Sequence, residues 1–202
     1  MIEAVNSLAR RVPNGVLYVL GALPFAWLVW MTATGGLGPD PVKSIERQAG
    51  LWGLQLLVAT LAVSPARRIG LNLIKLRRPL GLLSFFYILL HFASWVVLDM
   101  DLRLDQILAE LWKRPYILIG FAAFVAMVPL ALTSNNLAVR RLGPKAWRRL
   151  HLLTYGIAIA GIVHYLLLVK VVTLEPLIYA ALVLGLLAFR LVAPKRRAAA
   201  SS

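Results

Sequence analysis

His91, His151 and His164 are the whole histidine complement of this 202-residue chain, and cysteine is absent. Without thiolates there is no cysteine iron–sulfur ligation, no disulfide framework and no cysteine nucleophile. Redox chemistry would therefore have to come from a bound cofactor. All three histidines lie within or at the edge of long apolar runs, and ionisable residues inside a bilayer are expensive and usually functional. Two imidazoles facing each other across a helical bundle can supply both axial ligands of a b-type haem.

Residues A, V, I, L, M, F, W, Y and C make up 60% of the chain and the mean hydropathy is +0.79, above the apolar share of soluble domains. Six windows are long and apolar enough to span a bilayer: about 14–33, 48–65, 79–99, 115–133, 150–170 and 173–193. Arg10 and Arg11 precede the first, but its apolar run exceeds a signal h-region and no A-x-A site follows, so it reads as a retained span. The predicted fold is all-α, a polytopic membrane bundle of six transmembrane helices forming one domain over 1–202. With the N-terminus placed in the cytoplasm, only Lys43, Arg47, Arg103, Lys113, Arg114 and Lys170 of the 22 basic residues fall outside, and of the 8 acidic residues only Glu3 falls inside. The positive-inside rule thus puts both termini in the cytoplasm. The net charge of +14 is then a topology signal that also attracts anionic lipid head groups. It does not form the basic stripe of a nucleic-acid binder.

Trp27, Trp30, Trp52, Trp95 and Trp112 map near outer helix ends and Trp147 near an inner one, as in an interfacial aromatic belt. Between the third and fourth windows, residues 100–114 carry Leu104, Ile107, Leu108, Leu111 and Trp112 at helical spacing. This predicts a short amphipathic helix on the outer interface. The tail after Pro194 reads as disordered.

A rise of about 1.5 Å per residue puts His91 about 18 Å along the third span and His164 about 21 Å along the fifth. Both spans ascend from the inside, so the two reach nearly the same depth in the outer half. His151 lies about 20 Å below His164, and the matching positions on the third span are Arg77 and Arg78. Arginine stays protonated and is no ordinary iron ligand, but it can pair with a haem propionate or a flavin phosphate. Thirteen residues turn a helix by about 220°, so His151 and His164 need not share a face. Small residues near the histidines, Ala93, Ser94, Gly156, Ala160 and Gly161, suit either a flat macrocycle or close helix packing. The competing readings are hydrogen-bonded structural histidines, an interfacial role for His151, and a proton relay. Zinc lacks a third ligand at that depth.

Four stretches carry a family resemblance: RRPLGLLSFFYILLHF (77–92), KRPYILIGF (113–121), LTSNNLAVRRLGPKAWRRLHLLTY (132–155) and the HY at 164–165. In order and placement the chain resembles the haem-binding membrane subunits of bacterial protein-methionine-sulfoxide reductase systems, within the ferric-reductase and NADPH-oxidase transmembrane group. The resemblance covers nearly the whole chain. It implies a b-type haem between His91 and His164 and FMN toward the cytoplasmic side. From the residues themselves, His151 is a further candidate ligand, and Arg77, Arg78 and Arg148 are candidates at the basic inner face where electrons would enter. The resemblance also implies electron delivery from the quinone pool, across the bacterial inner membrane, to a periplasmic molybdenum enzyme that repairs oxidised methionines. The wider group has two histidine pairs, and Arg77 and Arg78 depart from that pattern. Nothing after the sixth window suggests an NAD(P)H-binding domain, so direct NAD(P)H oxidation is not expected. Methionine-sulfoxide reduction itself is expected in the separate partner. The alternatives are a quinol- or ferric-reducing cytochrome b without that partner, and a non-redox membrane anchor or assembly factor.

Overall fold

The structure is a computed structural model and describes residues 2–169, 171 and 173–192. Lys170 and the tail after Pro194, both used in the sequence reading, lie outside the described residues. The regular structure among the described residues is all helical: α1 (Ile2–Arg11), α2 (Asn14–Ala33), α3 (Pro41–Ala66), α4 (Arg77–Ser94), α5 (Leu104–Lys113), α6 (Pro115–Leu132), α7 (Asn136–Leu150), α8 (Leu153–Leu168) and α9 (Leu174–Val192). Local chemistry sets several of the boundaries. Asp40 caps α3 by accepting the Lys43 N–H at 3.0 Å, with Pro41 in the first turn, where its missing donor costs nothing. Asn135 caps α7 in the same way, through the Ala138 N–H at 2.8 Å. Gly143, at φ +76°, breaks α7 ahead of Pro144.

Four helical stretches are long and apolar enough to cross a membrane: Asn14–Ala33, Pro41–Ile69, Ile74–Asp99 and Pro115–Leu132. The pair α7–α8, bent by 41°, makes a fifth if it is one span. The expected fifth window, 150–170, is not one straight helix. The chain turns at His151 and Leu152, and α8 starts only at Leu153, so the helical phase expected between His151 and His164 does not apply. The sixth window falls on α9, which is not among these stretches, so the described residues support four or five spans rather than six. A short helix lies between the third and fourth spans as expected, but its apolar positions divide. Ile107 is buried, while Leu104, Leu108 and Trp112 are exposed.

Five helices close on one another, α3 on α4, α4 on α6, α6 on α8, α8 on α9 and α9 back on α3. Neighbours along this ring run antiparallel except α9 and α3, which run the same way. Leu54, Leu57 and Leu61 of α3, Met127 of α6, Ile157 and Ile162 of α8 and Val183 of α9 form the core. The α2 helix packs outside, against α3 and α4. The fully buried Tyr87 ties it there, its hydroxyl donating to the Gly21 carbonyl and accepting the Phe25 N–H. The tightest seam is α3–α4, where buried Ser84 donates to the Gly53 carbonyl at 2.8 Å.

That seam generates a stability test. Ser84→Ala leaves the Gly53 carbonyl within its own helix and costs about 0.6 kcal/mol, a typical membrane hydrogen bond. Ser84→Leu forces the helices apart and costs about 1–3 kcal/mol. Thermal unfolding of the two variants in detergent checks the order.

Candidate metal centre

His91 stands near the end of α4 and His164 in the last two turns of α8, and the bundle brings their rings to 6.1 Å between centroids with an interplanar angle of 78°. The two are seated in the same way. His91 Nδ1 lies 2.8 Å from the Glu46 carbonyl of α3, and His164 Nδ1 lies 2.7 Å from the Tyr116 carbonyl of α6. A carbonyl only accepts, so each Nδ1 carries the proton, and each neutral ring keeps its lone pair on Nε2. Among the described residues neither Nε2 has a hydrogen-bond partner. One helical turn after each carbonyl stands a glycine. A Cβ on Gly50 would sit 3.0 Å from His91 Nδ1, and one on Gly120 would sit 2.6 Å from His164 Nδ1. Each imidazole therefore lies against bare backbone and shares the carbonyl that the helix already uses.

This arrangement offers two unprotonated imidazole nitrogens, their tautomer set by the opposite nitrogen's hydrogen bond, as metal-ligating histidines have. Among the described residues no group of three His, Asp or Glu side chains could hold a metal ion. Two ligands suit a metal that brings its other donors with it. Ion pairs brace the surrounding end. Lys43 bonds both Glu46 at 3.2 Å and Asp99 at 2.8 Å, and Arg47 bonds Glu175 at 3.0 Å. The first links the turn of α3 that carries the Glu46 carbonyl to the end of the α4 span.

His151 is held differently. Its ring stacks on Trp147 at 3.9 Å, and its Nε2 lies 3.2 Å from Thr133 Oγ1. Trp147 Nε1 donates to the Thr133 carbonyl at 2.9 Å, so the three residues clasp the turn between α7 and α8. Arg77 lies within electrostatic reach of His151, Arg190 and Tyr155. Arg78 donates to Asn136 Oδ1 at 2.8 Å, and Arg148 is exposed. The structure thus puts Arg77 at the level of His151.

Residues 49–162 match the family described as ferric reductase like transmembrane component. The chain belongs to this family. It is also 45% identical over 183 residues to the protein-methionine-sulfoxide reductase heme-binding subunit MsrQ of Brucella anthropi, covering 90% of this chain and 83% of that protein. The MsrQ of Agrobacterium fabrum is 46% identical over 179 residues, covering 88% and 83%. That of Brucella ovis is 48% identical over 184 residues, covering 90% and 83%. No solved structure matches. Membership of a transmembrane family, together with several spanning helices, makes this a multi-pass membrane protein.

For this ferric reductase-like chain, sequence reading found the histidine pair but missed Gly50 and Gly120. The small residues it singled out are mostly elsewhere: a Cβ on Gly156 or Gly161 would meet nothing within 4 Å. No local signal separates the two kinds of glycine, because the imidazole that needs the gap comes from another helix. Arg190 is, by charge count, simply one of the basic residues of the cytoplasmic side, yet it donates to the Tyr155 hydroxyl and to the Leu61 carbonyl. Opposite signs are expected on substitution. Gly120→Ala pushes on His164 and costs about 1–3 kcal/mol, while Gly156→Ala gains about 0.5–1 kcal/mol of helix stability. Thermal unfolding in detergent, with wild type alongside, measures both.

Proposed function

We propose that this chain is the membrane electron-transfer subunit of a bacterial methionine-sulfoxide reductase system and holds one b-type haem between His91 and His164. The observation that carries this reading is the imidazole pair with both Nε2 atoms left for a metal. Two imidazoles that would share one haem iron must come from different helices and reach the same place in the bundle. The rings here are 6.1 Å apart. Haem held by His91 and His164 would bring its remaining donors with it and would supply a one-electron carrier within the bilayer. The protein's part is to orient the ligands. The Glu46 and Tyr116 carbonyls hold each tautomer and raise the basicity of the ligating nitrogen, and Gly50 and Gly120 leave room for the rings. The printed name of the MsrQ relatives, a heme-binding subunit of a methionine-sulfoxide reductase, supports both the cofactor and the class of partner.

The basic end, with Arg77, Arg78, Arg148 and His151, faces the cytoplasm, and the ion-paired end faces the periplasm of a cell with an inner membrane. Electrons are taken from the quinone pool at the basic end and delivered at the other to a periplasmic molybdenum enzyme that reduces oxidised methionine. FMN fits the basic end by charge: Arg77, Arg78 and Arg148 are cations suited to its phosphate. His151 clasps the α7–α8 turn and is the lesser candidate ligand, because its Nε2 already has the Thr133 hydroxyl within reach.

Purified protein is expected to show the visible spectrum of low-spin bis-imidazole haem. His91→Ala and His164→Ala each lose that spectrum and most of the bound haem, whereas His151→Ala keeps both. Full haem content in either of the first two variants overturns the ligand assignment. Reporter fusions at loops 34–40 and 70–73 are expected to read periplasm and cytoplasm respectively, and the reverse result overturns the orientation.

A further inference from the structure

Two cavities lie on either side of the short helical turn Ile74–Leu76, with Ile74 and Lys75 lining one and Leu76 the other. One, of about 460 Å³, opens at the basic end and is lined by Ala9, Arg10, Arg67, Asn72, Ile74 and Lys75. The other, also about 460 Å³, runs up the flank of the bundle between α2, α3 and α4. Leu17, Leu20, Leu56, Leu76, Leu80 and Leu83 line it. The chain passes from the first cavity to the second twice, from Arg10 to Leu17 and from Lys75 to Leu76.

The first cavity is cationic and uncompensated. All the ion pairs among the described residues lie at the opposite end. Arg10 and Arg67 side chains have no hydrogen-bond or ion-pair partner among the described residues. Lys75 Nζ donates to the Arg10 and Val12 carbonyls at 2.8 and 2.7 Å, which uses two of its three donors and leaves the charge unpaired. The cavity walls are tied together. Asn6 Nδ2 donates to the Gly70 carbonyl at 2.8 Å, and the Asn72 N–H donates to Asn6 Oδ1 at 2.7 Å. These bonds lock α1 to the turn that carries Arg67 and Lys75. Ile2, Val5 and Leu8 of α1 are exposed, spaced to lay one apolar face on a membrane surface.

An open cationic cavity at the membrane boundary, beside an apolar groove running into the hydrocarbon, complements a ligand with an anionic head and a long apolar tail. We propose that this is a specific site for an anionic phospholipid, with its phosphodiester among Arg10, Arg67 and Lys75 and one acyl chain in the groove between α2, α3 and α4. A free phosphate would use only the first cavity. A choline head would bring a fourth cation to three. Basic pockets between membrane helices bind anionic head groups by this chemistry. The proposal does not rest on the haem reading, since its charged residues Arg10, Arg67 and Lys75 line a cavity that contains neither His91 nor His164.

The test is native mass spectrometry of the full-length protein in detergent, titrated with phosphatidylglycerol and, separately, phosphatidylcholine. One phosphatidylglycerol is expected to stay bound under activation that strips phosphatidylcholine. The double variant Arg10→Gln/Arg67→Gln should weaken phosphatidylglycerol binding about ten- to thirtyfold, with haem content unchanged. Arg140→Gln/Arg141→Gln, exposed at the same end but outside the cavity, should leave it unchanged. Ala59→Trp fills the groove and should also weaken it. If Ala59→Trp fails to fold by circular dichroism, the arginine variants alone decide. Equal retention of phosphatidylcholine, or unchanged binding in Arg10→Gln/Arg67→Gln, overturns the proposal. So does displacement of the lipid by equimolar inorganic phosphate or FMN, which would assign the cavity to a free phosphate or to a flavin.

Discussion

Inside a bilayer the backbone carbonyl is spoken for by the helix, but it keeps a second lone pair, and this protein uses that lone pair twice. Glu46 and Tyr116 each accept an imidazole Nδ1–H from a neighbouring helix. Hydrocarbon has no water to satisfy a buried ring N–H, and an unsatisfied polar group there costs several kcal/mol. The bond therefore fixes where each ring can sit. It also dictates much of the bundle. The carbonyl lies in the early turns of one helix and the histidine near the end of its neighbour, so α3 with α4 and α6 with α8 must be adjacent and antiparallel. Close approach requires a residue without Cβ one turn on, and both seats have it in Gly50 and Gly120.

The two ends of the molecule carry opposite electrostatic solutions. At the end near the histidines, cations and carboxylates are paired, and the pairs knit α3 to the ends of the α4 span and to α9. That end gains order from its charges. At the other end, cations accumulate almost without acids, and those that are held are held by neutral groups: Arg78 by Asn136, Arg190 by Tyr155 and a carbonyl, and Lys75 by two carbonyls. Uncompensated charge at a membrane surface favours anionic ligands and lipid. The same asymmetry underlies both the proposed orientation and the proposed lipid site.

Much of the architecture was legible because it follows from additive, local properties. Apolar length alone marks α2, α3, α4 and α6, and alternating charge sets their ends. The bend at His151 was not legible. It is held by the clasp of Trp147, His151 and Thr133, which leaves no local mark. The α1 helix escaped notice because it is short, and its place is set by Asn6 bonding to a turn sixty-odd residues away. On α5, Ile107 was picked with its neighbours but alone turns inward, since which side faces the protein depends on the packing of α6.

By itself the sequence determined the class of molecule, the polarity of its ends and the two histidines that could share one depth. Hydropathy and charge are sums over neighbours in the chain, and depth follows from a constant helical rise. The tertiary structure decided everything that requires two helices at once: the separation of the two rings, the carbonyls that orient them, the glycines that admit them and the cavities between α1, α2, α3 and α4. Gly120 and Gly156 look alike in sequence. They differ only because the side chain of His164 reaches α6 from α8 and lies against the first of them.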